Sequence, residues 1–465
     1  MQRFFKRLLT PTLIICISIT LVTTVTGQYA RGNSPYSRFG LGDLSGSMFT
    51  PSASMGGGLA ATYRSYWDVN LTNPASLGKL RYTAFQLGIN YQHDEMLENK
   101  TGEYAQADNG NLTYISLAFP ITKSWEIMRD TLRRGVPIQW GMGFSLMPYT
   151  NVSYDVAVTR KVNTIDSILF NYTGAGSKYR VNWSNGFTYK GLSVGVNMGL
   201  LFGKVSNSTY INFQDSSNLL SFDDHYTIDE NGVGFIWDVG IQYEYVFKNK
   251  SGISSSTTNY SINNKLSLAV YAGGVSDIIT TSNQYYTRQS VFHGVDTIQN
   301  TSGVQGSLVM PLKIGGGISF GKEMGLLVGV SYETELWDMF RRNGDIDEDL
   351  TNSHRIALGM QIVPDFSDFS GYFNRVRYRL GLHYGLDARA ISPDATRYQL
   401  MDYGLSIGAG FPMRPPKSKT VLGFINLGFD IGYLGHPELI NDIYFKVNLG
   451  FSLNSSGWFD KSKFR

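Results

Sequence analysis

Apolar and polar positions alternate with a period of two in one segment after another. From Ile443 to Leu453, residues Ile443, Phe445, Val447, Leu449, Phe451 and Leu453 fall on one side, and Tyr444, Lys446, Asn448, Gly450 and Ser452 on the other. Successive strand side chains point to opposite faces, so this spacing predicts a strand with one greasy and one polar face, long enough to cross a bilayer at a tilt. The pattern recurs upstream. Leu192, Val194, Val196, Met198 and Leu200 oppose Ser193, Gly195, Asn197 and Gly199, and Val376, Tyr378, Leu380, Leu382, Tyr384 and Leu386 oppose Arg377, Arg379, Gly381, His383, Gly385 and Asp387. A face with two arginines, a histidine and an aspartate is excluded from lipid, where a mid-plane Arg or Lys costs roughly 2–4 kcal/mol. A soluble sandwich strand can also alternate, but about fourteen such segments after Arg81 predict an all-β fold: a transmembrane antiparallel β-barrel of about 14 strands.

Three parts flank or fill this barrel. Met1 to Gly27 reads as a signal peptide, with Arg3, Lys6 and Arg7 ahead of the apolar stretch Leu13 to Val22. Residues 28–80 are irregular and rich in turn formers, including Gly56-Gly57-Gly58 and Asn73-Pro74, and are expected to sit in the lumen as a plug. The barrel is assigned to 81–453 and an amphipathic interfacial tail to 454–465. Short connections at Lys190-Gly191, Phe320 to Gly325 and Met413 to Lys419 are expected at the periplasmic end, and long loops at Asp94 to Gly110, Thr150 to Ser177, Lys204 to Gly232, Asp277 to Ser307 and Glu335 to Asn352 at the outer end. Pro148 interrupts the third strand and should open a gap or bulge there.

Composition narrows the functional classes. Charged residues are 17%, below the roughly 25% of soluble domains, while 51 Gly, 29 Tyr and 27 Phe suit a barrel. The net charge of +3 and the lack of a basic, aromatic-interleaved helix leave no case for nucleic acid. Cys16, the sole cysteine, lies in the leader, so thiol chemistry is not expected of the mature chain. Gly191 to Gly195, Gly317 to Gly321 and Gly404 to Gly408 match G-x-S-x-G, but each serine sits in or beside an alternating strand rather than at a strand-to-helix elbow. The six histidines lack metal spacing, and the Asp345, Asp347, Asp349 run lacks the glycine and terminal acid of a calcium loop. No enzyme, cofactor or metal site is therefore predicted. Asp238, Glu244, Glu333, Arg355, Arg377, Arg379, His383, Asp387, Asp430 and Lys446 are predicted to face the lumen, where they either pair with one another and with the plug or line a path.

Ala53 to Ala60, containing Gly56-Gly57-Gly58, followed by Trp67 to Leu77 with its Asn73-Pro74-Ala75 box, resembles the N-terminal hatch of the FadL/TodX family of outer-membrane hydrophobic-compound transporters. Ser34-Pro35-Tyr36-Ser37-Arg38-Phe39-Gly40 resembles a branch of that family common in Bacteroidota, some of whose members resemble subunits of secretion or barrel-assembly machines. Arg64-Ser65-Tyr66-Trp67-Asp68 stands where the family has an acidic-Ala run. The resemblance implies an integral protein of the Gram-negative outer membrane, in contact with its lipid. It also implies passive entry of a hydrophobic small molecule, with Leu59, Tyr63, Tyr66, Trp67 and Leu71 as pocket walls and a side door at a kinked third strand. The alternative it carries is a non-catalytic barrel subunit with protein partners in an outer-membrane complex.

Overall fold

The computed structural model describes residues 34–45, 48–123, 127, 137–162, 165–213, 222–247, 263–274, 277–290, 294–368, 370–392, 396–413 and 423–455. The leader, Cys16 and most of the tail lie outside these residues, as do most of 123–135, 249–263 and 413–419. Among the described residues no helix is long and apolar enough to cross a membrane.

Fourteen antiparallel strands form the wall: β1 Thr83–Glu98, β2 Tyr104–Pro120, β3 Gln139–Val162, β4 Ile165–Tyr189, β5 Leu192–Phe213, β6 Asp223–Val246, β7 in two pieces Lys265–Gly274 and Asp277–Ser290, β8 in two pieces Gly294–Val309 and Lys313–Gly321, β9 Leu326–Glu335, β10 Ser353–Ile362, β11 Arg377–Ile391, β12 Tyr398–Met413, β13 Gly423–Gly435 and β14 Ile440–Ser455. Each strand pairs with its chain neighbours, and β14 pairs with β1 from Ile440↔Glu98 to Ser455↔Thr83, which closes the ring and removes the free edges of an open sheet. The alternation decides which face is which. On β14, Ile443 and Leu453 are about half exposed to the membrane side, while Ser452 is buried inside. On β11 the greasy row Tyr378, Leu380, Leu382 and Tyr384 faces out, and Arg377, Arg379 and His383 are buried within. At the end assigned to the periplasm, the β4–β5 hairpin turns on Lys190 and Gly191 alone, both at positive φ, as a two-residue hairpin requires.

The outer end corrects the expectation of long loops. Thr150 to Ser177 is ladder, with pairs running from Thr150↔Lys178 to Arg160↔Ile168, and β5 and β6 stay paired out to Ile211↔Asp224. Asp277 to Ser307 is likewise the outer ladder of β7 and β8, and much of Asp94 to Gly110 belongs to β1 and β2. Among the described residues of these stretches, only Glu335 to Asn352 folds mainly as a loop, with a 3-10 turn at Trp337–Met339 and two-residue strands at Arg341–Arg342 and Asp345–Ile346. The reason is physical: backbone hydrogen bonds extend a ladder without a greasy face, and these stretches are rich in Thr, Tyr and Val. At about 3.3 Å per residue, the 24 residues of β3 run about 80 Å along the strand, whereas a tilted membrane strand needs about 9–11 residues. Strands β3 to β8 therefore rise beyond the membrane as a six-stranded wall.

The described plug residues, 34–45 and 48–80, run inside the barrel from the end that carries the β3–β8 wall, assigned above to the outside, to the end assigned to the periplasm. The Tyr36 hydroxyl donates to the Ile440 carbonyl at the outer rim, and the plug pair Asp43–Leu44 adds as a short strand to β3 at Asn151 and Thr150. Leu41 packs there with Ile278, Leu308, Trp337, Phe340 and Leu350 to cap the mouth. At the other end Trp67, Phe366, Phe424 and Val363 make an aromatic floor against Tyr66, Tyr82 and Met324.

Candidate functional site

The plug is seated by its Asn-Pro-Ala box. Asn73 caps the 3-10 helix Pro74–Lys79 by accepting the Ala75 N–H at 3.1 Å, and its amide donates to the Ala61 carbonyl at 3.0 Å. This turn lies flat on the wall because four barrel glycines stand in one register row: Gly141↔Gly186, Gly186↔Gly195 and Gly195↔Gly240. A Cβ on Gly195 would lie 2.3 Å from the Pro74 carbonyl carbon, and one on Gly240 2.0 Å from the Asn73 side-chain oxygen. Across the lumen, Gly329, Gly359 and Gly381 form a second row against Met55, Gly58 and Leu59. The high glycine content thus has a use: it lets backbone meet backbone.

A buried ion pair fastens the same plug. Arg377 Nη1 on β11 donates to Asp68 Oδ2 at 2.5 Å, and both side chains are fully excluded from solvent. The Tyr63 hydroxyl donates to the same oxygen at 2.9 Å, and the guanidinium lies 3.7 Å over the Phe424 ring. Lys79 reaches Glu244 at 3.0 Å, with Lys265 on the other oxygen at 3.2 Å. Arg389 bridges plug Asp43 and its own strand's Asp387 at 2.5 and 2.7 Å. Charges hidden from water persist when paired in this way.

Between plug and outer mouth remains a cavity of about 410 Å³ whose lining mixes charged side chains with apolar ones such as Leu71, Ile236, Met310 and Leu434. Lys313 meets Glu333 at 2.7 Å, with the Tyr271 hydroxyl donating to that carboxylate as well. Arg355 meets Asp402 at 2.8 Å, and Tyr444 joins Asp402 to His383. Asp430 accepts from Ser406, and Asp238 lies 3.6 Å from Arg180. The cavity reaches the β2–β3 seam. There the ladder runs only from Pro120↔Gly141 to Ile115↔Leu146, the chain bulges on β3 between Pro148 and Thr150, and Leu112, Thr113, Pro148 and Tyr149 line the cavity.

Of the hatch residues assigned to pocket walls, Leu59, Tyr63, Trp67 and Leu71 are at most 2% exposed, and only Leu71 touches the cavity. Tyr66 stands edge-on to Trp67, with Lys79 and Arg81 over its ring. Arg379 is held by Gln361 and Asn426 rather than by an acid. The three G-x-S-x-G serines stay in the ladder region; Ser406 donates to Asp430, while His383 on the neighbouring strand is engaged by Tyr444 and Asp402 rather than by Ser406. Among the described residues, no group of three metal-ligating side chains converges.

A family model, BamG, matches residues 9–465, nearly the whole chain. The chain belongs to the BamG family. Solved structures supply the fold comparison. The Ralstonia pickettii toluene transporter TbuX is 12% identical with a TM-score of 0.52, over 88% of this chain and 99% of its own. The Pseudomonas putida toluene transporter TodX is 13% identical at 0.53, over 89% and 99%, and a Pseudomonas aeruginosa FadL homologue 11% identical at 0.53, over 89% and 98%. At these identities the likeness shows the fold alone: this BamG-family chain folds as a FadL-like β-barrel. Among curated proteins none matches by sequence. Sequence reasoning did not identify Asp43, Lys79, Lys313, Arg389 or Asp402 as members of the lumen network. Alternation offered a signal for Lys313 and Asp402, since each is flanked by residues of the opposite face.

Proposed function

We propose that this chain is a non-catalytic, permanently plugged barrel subunit of an outer-membrane protein assembly, delivered by its leader and offering the wall of β3 to β8 as a docking surface. One observation carries the reading. The plug is joined to the barrel by a solvent-free Asp68–Arg377 pair and by backbone resting on glycine, and a part meant to move aside would have to leave that charge buried alone. The remaining cavity carries the ion pairs Lys313–Glu333 and Arg355–Asp402 among its apolar lining residues, and an apolar solute entering it would have to strip water from them. Gentle detergent extraction of native membranes tests the idea. The chain should migrate as a defined multi-protein species on a native gel, and migration as a lone barrel would refute it.

A second reading, passive entry of a hydrophobic small molecule, is favoured by the short β2–β3 ladder beside Pro148 and the cavity behind it. The fold relatives TbuX and TodX are described as toluene transporters. On this reading, liposomes holding the purified chain take up toluene faster than empty ones, and a disulfide joining β2 to β3 across the seam abolishes the difference. Equal uptake by the two liposome preparations rules it out.

A further inference from the structure

We propose that the β2-facing edge of β3 above the seam, at Asp155, Ala157 and Thr159, receives an extended segment of a partner polypeptide as an added strand. The inference rests on the reading of the wall as a docking surface and specifies its mode. Above Leu146, β3 has left β2, and the ladder partners described for it are β4 and the plug pair Asp43–Leu44. That pair shows that this edge accepts a strand: Asn151 and Thr150 oppose Asp43 and Leu44, and the Ser45 N–H donates to the Tyr149 carbonyl. One step higher Ser37 imitates a strand, its hydroxyl donating to the Ser153 carbonyl at 3.0 Å and accepting the Ser153 N–H at 3.2 Å.

Ser153 therefore points both backbone groups away from β4. Backbone polarity alternates along an antiparallel strand, so Asp155, Ala157 and Thr159 point theirs the same way, and all three are exposed. Above Ser153 no described plug residue pairs with this edge, while β3 continues to Val162.

The far edge of the same wall is built differently. Outer β8 carries register breaks between Thr297 and Gln299 and between Thr301 and Val304, with Gly303 at positive φ. Bulges of this kind twist an edge out of reach of other strands. The β3 edge has no such break from Thr150 to Arg160, and Tyr154, Val156, Val158 and Thr159 favour pairing. A straight edge already extended at its foot by strand addition is suited to a partner that continues the same ladder, with main-chain bonds giving the affinity.

The test uses the full chain in its own membrane. Ala157→Pro removes one outward N–H and leaves the β4 ladder intact, whereas Ala157→Val keeps the donor. Folding of each is checked by the heat-dependent gel mobility of the barrel. The proline variant should lose about tenfold in the fraction recovered in the native-gel assembly, and the valine variant should match the wild type. Independently, hydrogen exchange at Asp155, Ala157 and Thr159 in wild-type outer-membrane vesicles should be about tenfold slower than in the isolated chain in detergent. Full assembly with the proline variant, or equal exchange in the two preparations, overturns strand addition while leaving the docking wall standing. A wild-type chain that extracts alone overturns both.

Discussion

Gly195→Ala is the sharpest probe of how the plug is held. The added methyl would sit 2.3 Å from the Pro74 carbonyl carbon, 2.4 Å from the Ala75 nitrogen and 2.5 Å from the Pro74 oxygen, all backbone atoms with no rotamer to turn. Ordinary carbon contacts begin near about 3.5 Å, so the helix Pro74–Lys79 must retreat by about 1 Å. Sliding sideways gives no relief, because Gly141 and Gly240 hold the same turn as closely. Retreat stretches the bond from Asn197 to the Leu71 carbonyl, now 2.9 Å. Overpacking of this kind costs about 1–3 kcal/mol, and about 2 kcal/mol multiplies the population of displaced plug by about thirty. Hydrogen exchange of residues 73–80 in detergent reads that population directly. Gly110→Ala is the control, since its methyl would find only the Asn90 carbonyl oxygen at 3.9 Å. If both variants exchange like the wild type, the glycine row is not what seats the turn.

Further variants address the remaining fastenings. Asp68→Ala leaves Arg377 buried without its acid and should lower barrel stability by about 3–5 kcal/mol, seen as a drop in the temperature at which gel mobility changes. Asn73→Ala removes the cap of the same helix and should cost about 1 kcal/mol by the same measurement. In planar bilayers the wild type should not conduct, and Arg377→Ala should give openings that favour cations. With Asp43 displaced, the described cavity lining keeps seven carboxylates against five Lys and Arg side chains. Anion-selective openings would mean that the pore follows another surface.

How much of this was readable in the sequence depends on which force made each part. The greasy rows of β11 and β14 were legible because lipid acts on every second residue, and Arg377, Arg379 and His383 could be assigned to the inside from their companions alone. The wall above the membrane was not legible as strand. Around Thr159 and Tyr210 both faces meet water, so the backbone continues to pair with no lipid-facing row to mark it. The Asp68–Arg377 pair spans 309 residues, and nothing local in either stretch specifies the partner. The glycine row was equally hidden. Gly141, Gly186, Gly195 and Gly240 are unremarkable singly and acquire meaning only when strand register puts them side by side.

The hatch shows why residue type alone misleads at such a site. Leu59, Tyr63, Trp67 and Leu71 have the size and greasiness of a pocket wall, and a sequence cannot say whether their surface is offered to a ligand or already used. Here Trp67 is enclosed by Tyr66, Tyr82, Phe366 and Phe424, and Tyr63 gives its hydroxyl to Asp68. To present those faces to a solute, the chain would have to dissolve its aromatic floor and part a buried ion pair in one event. The space that remains is lined by charged groups together with other apolar residues, among them Ile236, Met310 and Leu434. On the proposed reading, a barrel whose largest hatch residues are used to close it is organised to stay shut, and what it offers other molecules lies on the wall outside.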